Sequence, residues 1–512
     1  MKQSFPLVPP KYNDIDRLLR DLRARPGKYW LAAGEKRALA LFHEMAGRVP
    51  AYKDFLKKQR IDPVKVRTME DFRQVPTIDK NNYLRHYPLE ALCWDGLFEE
   101  KRWTISATSG STGEPFYFPR ELAQDLQYAG TAELYLRTNF HIDQRSTLYI
   151  DAFPMGAWIG GVFTYEVVRM IAERRRYPLS IITPGIDKAA IINSVRKLGD
   201  KFDQVVIGCY GPFLKDAIDD GIAQGLDWKR YHPKFVFSAE GFSETFRDYV
   251  IDKAGLKNPY ADTLNHYGTV DQGTLGYETP LAVFIRRLAV RTPKLYRAIL
   301  PFDHKLPTLV QYDPELFYFE ELENGLLCSA ASGLPLVRYD LKDNGGVITY
   351  DDMLSRCSLV GHDIESAARR AGLGPTMWRW PFAYVYERKD FSVSLYAFQI
   401  YPETIRRAVQ APVFRNDCTG KFAMLVKLDR ARNQVLEINI ELKANRRGTK
   451  KLEAALRQAI TRQLLEESSE YRETHNRIPG RVQPRIVFWP YEYPKYFRPG
   501  TKQKWVIKQN QI

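Results

Sequence analysis

The chain has 512 residues, of which 44% are hydrophobic and 27% charged, a balance that excludes a disordered or fibrous protein. Its length corresponds to roughly three domain equivalents, which is more than one ordinary core. The net charge of +15 favours anionic partners. The basic residues are dispersed, however, and show neither zinc-finger spacing nor a basic helix interleaved with aromatic residues, so we expect no nucleic acid.

Targeting signals and cysteine usage indicate a compartment. The amino-terminal sequence MKQSFPLVPPKYNDID carries prolines and acidic residues where a signal peptide requires an apolar stretch. No apolar run reaches the ~18 residues that span a bilayer. The five cysteines are scattered and form no CxxC pair. We therefore expect a cytoplasmic protein with reduced thiols, without a membrane span, a disulfide scaffold or a structural zinc site.

The first ~100 residues are predicted to be helical, with helical apolar spacing over Leu31–Met45. From about residue 145, short apolar runs alternate with helical segments. This alternation predicts a mostly parallel sheet covered on both faces, with ligands at the carboxyl ends of the strands. The predicted strands are Ser146–Ile150, Ser180–Thr183, Gln204–Ile207 and Lys234–Ser238.

The last ~120 residues show a different pattern, in which alternating strands flank a helix with one apolar face over Leu452–Leu464. The predicted strands are Phe422–Leu428, Val435–Leu442 and Arg485–Trp489. We predict an α/β protein with a large amino-terminal mixed α/β domain, residues 1–389, and a small α+β domain, residues 390–512. The boundary falls near Arg388–Phe391.

The most informative segment is Thr108–Pro115, with the sequence TSGSTGEP. Its hydroxyl groups are rotatable donors, and its glycines permit the main chain to approach and cradle an anion. The segment lacks the lysine of a GxxxxGK[ST] loop, so a P-loop NTPase does not fit. The segment is therefore predicted to bind phosphate. A Ser/Thr/Gly surface linker is the alternative that composition alone would favour.

This segment resembles the phosphate-binding loop of adenylate-forming enzymes, the superfamily of acyl-CoA synthetases, peptide-synthetase adenylation domains and luciferases. The resemblance implies an ATP-binding role for six residues, of which Thr112 is also expected to take part in catalysis. They are Thr108, Ser109, Gly110, Ser111, Thr112 and Gly113.

Two later segments resemble further motifs of the superfamily, in the same order. Ser238-Ala239-Glu240 resembles the segment that contacts adenine, with Ser in place of Gly. The sequence YGTVD, which begins at Tyr267, resembles the Tyr-Gly-x-Ser/Thr-Glu motif. The resemblance implies that Tyr267 stacks on adenine beside Gly268 and that Asp271 helps to hold Mg²⁺.

Three segments towards the carboxyl end complete the set. LVRY, followed by Asp343, resembles the segment whose aspartate binds the ribose hydroxyls. ERKD resembles the hinge motif, which implies that Arg388 lies near the phosphates and that Asp390 is the hinge of a mobile small domain. GTKQKW resembles the lysine motif, with Lys502 as the catalytic lysine and Lys504 as the alternative ATP-binding lysine.

Several positions depart from the superfamily pattern. Asp271 replaces Glu, Val270 replaces Ser or Thr, Glu387 replaces the hinge glycine, and the lysine motif is altered. These departures keep open a degenerate nucleotide-binding protein that does not turn over.

The amino-terminal segments ALALFHEMAGRVPAYKDFL and MEDFRQVPTIDK, with Ala152–Gly161, resemble the phenylacetate–CoA ligase-like branch. The whole resemblance covers about residues 38–505. It implies an AMP-forming acid–thiol ligase that uses ATP, Mg²⁺ and CoA to convert a small carboxylic acid to an acyl-adenylate and then to a thioester.

The acid and its acceptor stay open at this level. An amine, a hydroxyl or an acidic carrier protein, which a +15 surface would attract, is the alternative acceptor. A homodimer is the default assembly. Five aromatic residues are candidates for an acyl pocket or for ordinary core: Phe153, Trp158, Phe163, Phe213 and Phe237.

Overall fold

The computed structural model describes residues 5–108, 115–239, 241–301, 306–388, 392–396, 398–497 and 505–507. For five of these residues it describes the main chain alone: Pro212, Thr245, Glu387, Arg388 and Glu403. The chain divides into a large unit and a small unit. The large unit comprises Met1–Ser106, Tyr117–Cys209 and Lys215–Lys389, and the small unit comprises Ala107–Phe116, Tyr210–Leu214 and Asp390–Ile512. Within the described ranges, no helix has the length and apolar character needed to cross a bilayer.

The first hundred residues are helical, as the sequence predicts. The α-helices are α1 (Ile15–Ala24), α2 (Gly27–Arg48), α3 (Pro50–Lys58) and α4 (Met69–Gln74). In α2, Ala38, Leu41 and Met45 recur at helical spacing and are buried. A capping box starts α4, because Thr68 Oγ1 accepts from the Asp71 main-chain N–H while the Asp71 carboxylate accepts from the Thr68 N–H.

Between residues 104 and 388 the described residues form thirteen strands and nine α-helices. In chain order these elements are β1 (Thr104–Ala107), β2 (Tyr117–Arg120), α5 (Leu122–Phe140), β3 (Thr147–Asp151), α6 (Ile159–Arg175), β4 (Leu179–Ile182), α7 (Lys188–Leu198), β5 (Gln204–Cys209), α8 (Gly211–Ala223), β6 (Lys234–Phe237), α9 (Glu244–Ala254), β7 (Thr263–Thr269), β8 (Gly273–Tyr277), α10 (Pro280–Arg291), α11 (Pro293–Ile299), β9 (Thr308–Gln311), β10 (Phe317–Leu322), β11 (Gly325–Ala330), β12 (Leu336–Ile348), α12 (Tyr350–Leu359), α13 (Ile364–Arg370) and β13 (Phe382–Arg388).

The central sheet is half parallel and half antiparallel. Its order is β10-β11-β12-β13-β9-β8-β7-β6-β5-β3-β4, and β1 and β2 form a separate pair. Strands β3 to β7 are parallel, and the positions of β3 to β6 agree with the predicted apolar runs. The prediction of a mostly parallel sheet is wrong for the other half, where β7 to β13 pair antiparallel.

Short connections explain part of the antiparallel half. Leu322 pairs with Gly325, so the β10–β11 loop contains only Glu323 and Asn324. Both loop residues have positive φ, 50° and 60°, as a two-residue hairpin turn of the favoured type requires. Parallel strands cannot be joined by so short a loop.

The small unit is an α+β structure. Its elements after residue 390 are β14 (Val393–Leu395), β15 (Phe398–Ile400), α14 (Pro402–Val409), β16 (Cys418–Leu428), β17 (Gln434–Leu442), α15 (Lys450–Glu467), α16 (Ser469–Arg477), α17 (Pro479–Val482) and β18 (Arg485–Trp489). Strands β16, β17 and β18 form a three-stranded sheet, and β14 pairs with β15. Helix α15 buries Leu456, Ile460 and Leu464, as its predicted apolar face requires.

Candidate functional site

Two of the predicted adenine-binding segments lie side by side. Strands β6 and β7 are parallel neighbours, and Phe237 pairs with Asn265. Ser238 and Ala239 directly follow β6, while Tyr267 lies near the carboxyl end of β7. In open α/β sheets this edge is where ligands bind. Ala239 has φ of +73°, an uncommon conformation for a residue with a Cβ, which makes the turn after β6 unusual.

The side chains of Tyr267 and Asp343 are joined by a hydrogen bond. The Tyr267 hydroxyl donates to Asp343 Oδ2 at 2.6 Å. Both residues are largely buried, with 9% and 7% of their surfaces exposed. The ring of Phe319 packs against that of Tyr267 with the centroids 6.2 Å apart. The residues predicted to contact adenine and ribose are thus adjacent, and a hydrogen bond joins their side chains.

Arg388 is brought opposite Asp343 by strand pairing. Asp343 lies on β12 and pairs with Arg388 on β13, and the neighbouring Asn344 pairs with Glu387. The main chain of the first two residues of the predicted hinge motif is therefore anchored beside the predicted ribose ligand. The Arg388 side chain lies outside the described atoms, so its role near the phosphates stays a prediction.

Asp271 is engaged by two side chains of the large unit. The Tyr339 hydroxyl donates to its Oδ2, and Lys80 Nζ lies 3.1 Å from its Oδ1. The Lys80 ammonium also lies 5.6 Å from the ring centroid of Phe118. Sequence reasoning missed Lys80, although this lysine closes the segment MEDFRQVPTIDK that carries the branch resemblance.

Main-chain pairing with β12 holds Lys80 in place. Ile78 bridges to Tyr339, with its N–H donating to the Arg338 carbonyl at 3.2 Å. The adjacent Asp79 forms an ion pair with Lys342 at 2.6 Å. Hydrogen bonds fix the main chain at Ile78, and the ion pair fixes Asp79. The backbone therefore holds the adjacent Lys80 where its ammonium reaches Asp271.

The role of Asp271 in holding Mg²⁺ stays a prediction. A protein site for this ion usually combines carboxylates with water and substrate phosphates. Here both oxygens of the single carboxylate already have partners, and one partner is a cation. No group of three His, Cys, Asp or Glu side chains that could hold a metal occurs in the described part of the chain. Positive charge at this position comes from Lys80.

The base of the TSGSTGEP segment is closed by two hydrogen bonds. The Thr108 N–H donates to the Phe116 carbonyl at 3.0 Å, and the Phe116 N–H donates to Thr108 Oγ1 at 2.9 Å. Thr108 is therefore joined to Phe116 through both its main chain and its hydroxyl. Nine other predicted site residues lie outside the described residues: Ser109, Gly110, Ser111, Thr112, Gly113, Glu240, Asp390, Lys502 and Lys504.

Two residues that follow the candidate lysines, Trp505 and Ile507, form main-chain hydrogen bonds with strand β16. The Met424 N–H donates to the Trp505 carbonyl at 2.8 Å, and the Ile507 N–H donates to the Met424 carbonyl at 2.9 Å. The guanidinium of Arg406 lies 4.4 Å from the Trp505 ring centroid. Residue 505, which follows Lys504 directly, is thus fixed against strand β16.

A buried ion-pair network lies next along the chain to the segment predicted to contact adenine. Arg247 is fully buried and pairs with Glu278 at 2.8 Å and Glu244 at 2.9 Å. Arg286 pairs with Glu244 at 2.6 Å and donates to the Phe242 carbonyl. Buried charges are tolerated when they are paired and hydrogen-bonded in this way. The network fixes the chain between residue 240 and helix α9.

His266, next to Tyr267, has the environment of a structural residue. It is buried among the rings of Tyr128, Tyr135 and Tyr277, at centroid distances of 6.0, 5.0 and 6.4 Å. Burial lowers the pKa of His266 to about 3. The imidazole is therefore neutral at physiological pH and is not suited to act as a general acid.

Comparison with known proteins yields one curated relative and several related folds. No family model matches the chain. The phenylacetate-coenzyme A ligase of Thermus thermophilus is 32% identical over 243 residues, or 46% of this chain and 51% of the relative. The match spans about half the length of that relative.

The fold is similar to that of a 2-hydroxyisobutyryl-CoA ligase. Its structure with 2-HIB-AMP and CoA in the thioesterification state gives a TM-score of 0.60 at 14% identity, covering 95% of this chain and 91% of that one. Its postadenylation state with R3-HIB-AMP gives a TM-score of 0.51 at 13% identity, covering 96% and 92%. With the curated relative, these similarities support the predicted resemblance to adenylate-forming enzymes.

Proposed function

We propose that this protein is an AMP-forming ligase that activates a small carboxylic acid with ATP and transfers the acyl group to CoA. The observation that carries the proposal is the hydrogen bond of 2.6 Å between Tyr267 and Asp343, which are 76 positions apart. The resemblance assigns one residue to adenine and the other to ribose. The hydrogen bond keeps these two side chains close enough for the base and the ribose of one nucleoside to contact both.

In the first half-reaction, a carboxylate oxygen of the acid attacks the α-phosphorus of ATP, and pyrophosphate leaves as the acyl-adenylate forms. Catalysis of this kind depends on donors and cations fixed where negative charge develops. The Tyr267 ring would bind adenine and the Asp343 carboxylate would accept from the ribose hydroxyls. The TSGSTGEP segment, shaped at its base by Thr108, would donate to the phosphates.

Two lysines are candidates for neutralising charge on the α-phosphate. Lys502 is the proposed catalytic residue, with Lys504 as the alternative that the motif leaves open. Lys80 supplies a further cation in the large unit, because its ammonium is held next to Asp271. We assign no step to Mg²⁺, whose binding at Asp271 stays a prediction.

In the second half-reaction, the CoA sulfur attacks the acyl carbon of the adenylate, the bond to the phosphate oxygen breaks and AMP leaves. The names of the relatives support CoA as the acceptor, since one is a phenylacetate-CoA ligase and the other was crystallised with CoA. An amine, a hydroxyl or a carrier protein is the alternative acceptor. A rotation of the proposed domain 390–512 about Asp390 would separate the two half-reactions.

The proposal is tested by exchange of labelled pyrophosphate into ATP over a broad panel of carboxylic acids. Acid-dependent exchange supports adenylation, and its loss in Asp343→Asn ties it to this site. Adding CoA to preformed adenylate should yield a thioester, and release of AMP only with another acceptor would reassign the second step. Absence of ATP binding by calorimetry would refute the proposal.

A further inference from the structure

A second set of polar groups lies at the same edge of the sheet as Tyr267. Asp151 ends strand β3, in register with Gly208 on β5. Its main chain is fixed from two sides, because its carbonyl accepts from the Gly185 N–H at 3.2 Å and the following Ala152 N–H donates to the Gly208 carbonyl at 2.9 Å. The carboxyl group is therefore held rigidly where ligands of such sheets bind.

Two polar atoms at this position have no hydrogen-bond partner among the described residues. They are Asp151 Oδ2 and the hydroxyl oxygen of Tyr149. The other oxygen of Asp151 accepts from the Phe153 N–H at 3.2 Å. Asp151 is 0% exposed and Tyr149 is 1% exposed, so water does not reach them freely. Burial of a polar group without a partner is unfavourable, and a ligand that supplied the partner would offset it.

The absence of a side chain at Gly208 accommodates these groups. A Cβ at this position would lie 2.6 Å from the Tyr149 hydroxyl and 2.8 Å from the Phe153 ring. Tyr149 and Asp151 are two positions apart on strand β3, so their side chains point to the same face of the sheet. Tyr128 of helix α5 belongs to the same neighbourhood. Burial raises the pKa of Tyr128 and of Tyr149, and the nearby Asp151 carboxylate adds to both rises.

Burial favours the neutral forms of the groups in this cluster. It raises the pKa of the Asp151 carboxyl well above its usual range. His266 lies in the neighbouring aromatic cluster. Its Nε2 atom likewise has no partner among the described residues, and its imidazole is neutral. Neutral donors and acceptors suit a hydroxyl group, whereas an ammonium or a second carboxylate would require an opposite charge.

We propose that Asp151 and Tyr149 bind a hydroxyl group on the acyl part of the substrate, so that the preferred acids of this enzyme are hydroxylated carboxylic acids. This inference rests on the proposed adenylation. Phe153, whose ring contacts the position of Gly208, would pack against the carbon skeleton of the same acid.

The test compares pairs of acids that differ by one hydroxyl, such as mandelate and phenylacetate, in pyrophosphate exchange. The wild-type protein should prefer the best hydroxylated acid over its unsubstituted partner by about 10-fold in kcat/KM, the effect of one hydrogen bond. Tyr149→Phe and Asp151→Leu should each reduce this ratio to about 3-fold or less.

Tyr277→Phe is the matched control, since this residue is also a buried tyrosine whose hydroxyl lacks a partner among the described residues. It should keep the wild-type ratio. Equal use of both acids by the wild-type protein, equal losses for both acids in Tyr149→Phe, or a preference for ammonium-bearing acids would each overturn the inference.

Failure of the proposed function gives a different result, namely no exchange with any acid. In that case calorimetric binding of the same acid pairs decides the inference. Tighter binding of the hydroxylated acid, reduced in Tyr149→Phe but not in Tyr277→Phe, supports it. Absence of binding by every hydroxylated acid overturns it.

Discussion

Removal of the Tyr267 hydroxyl should destabilise the large unit while largely preserving ATP binding. The hydroxyl donates to a carboxylate at 2.6 Å, between two residues that are 9% and 7% exposed. A hydrogen bond to a charged group contributes about 1.5–3 kcal/mol. We expect Tyr267→Phe to lower the free energy of unfolding by about 2 kcal/mol. The phenyl ring remains available to stack on adenine, so the Kd for ATP should rise about 3-fold or less.

Asp343→Asn should have the opposite pattern. An amide oxygen can still accept from the Tyr267 hydroxyl, so the loss of stability should stay below about 1 kcal/mol. The ribose hydroxyls, however, lose an ionised acceptor. If this contact is worth about 1.5–3 kcal/mol, the Kd for ATP should rise about 10- to 100-fold. Urea unfolding and calorimetric titration with ATP measure the two effects separately.

A matched control exists in the same unit. The Tyr12 hydroxyl donates to Asp313 Oδ2 at the same distance of 2.6 Å and is also buried. Tyr12→Phe should reduce stability about as much as Tyr267→Phe and leave the Kd for ATP unchanged. The reasoning is refuted if Asp343→Asn binds ATP as well as the wild-type protein, or if Tyr12→Phe weakens ATP binding as much as either site variant.

Arg247→Met should cost about 3–5 kcal/mol in urea unfolding because it removes one of the two buried guanidinium groups that pair with Glu244 and Glu278. Arg287→Met, at the edge of the same network, should cost much less, and similar losses would contradict this account. Burial holds the pKa of His266 at about 3 against 6.5 in the unfolded chain, so its contribution to stability is present above pH 6.5 and declines as the pH falls below it. His266→Gln should remove this pH dependence, and an unchanged slope of the free energy of unfolding against pH would argue against a buried neutral imidazole. Lys502→Ala should slow adenylate formation more than thioester formation from supplied adenylate, and Asp390→Pro should do the reverse by fixing φ at the predicted hinge. Equal losses in both half-reactions, measured by rapid quench, would refute the two-conformer mechanism.

The sequence predicts best where structure depends on local pattern. The parallel strands β3 to β6 are short apolar runs, so their positions could be read directly. The sequence does not predict the long strand β12, because charged residues such as Asp340 and Lys342 interrupt its apolar pattern, and only its LVRY motif is noted. Its antiparallel partner β13 follows two intervening helices, and no local signal in the sequence specifies that pairing.

The site shows the same limit. Motif order placed Tyr267 and Asp343 at one nucleoside, but their hydrogen bond depends on side-chain positions that no spacing encodes. Lys80 could not be assigned from its neighbours, since its significance comes from an ion pair with the distant Asp271. Asp151 likewise has an ordinary sequence context, and only the three-dimensional structure reveals that its Oδ2 lacks a partner among the described residues.

Strand β13 has a consequence for biosynthesis of the protein. It lies between β9 and β12 and is the last strand of the large unit along the chain. On the ribosome, β9 and β12 are complete before Phe382–Arg388 is made, so each presents an unpaired edge to other nascent chains. Unpaired edges promote aggregation. A fragment that ends before Phe382 would keep both edges permanently, so any shortened form of this protein intended to remain in solution must extend through Arg388.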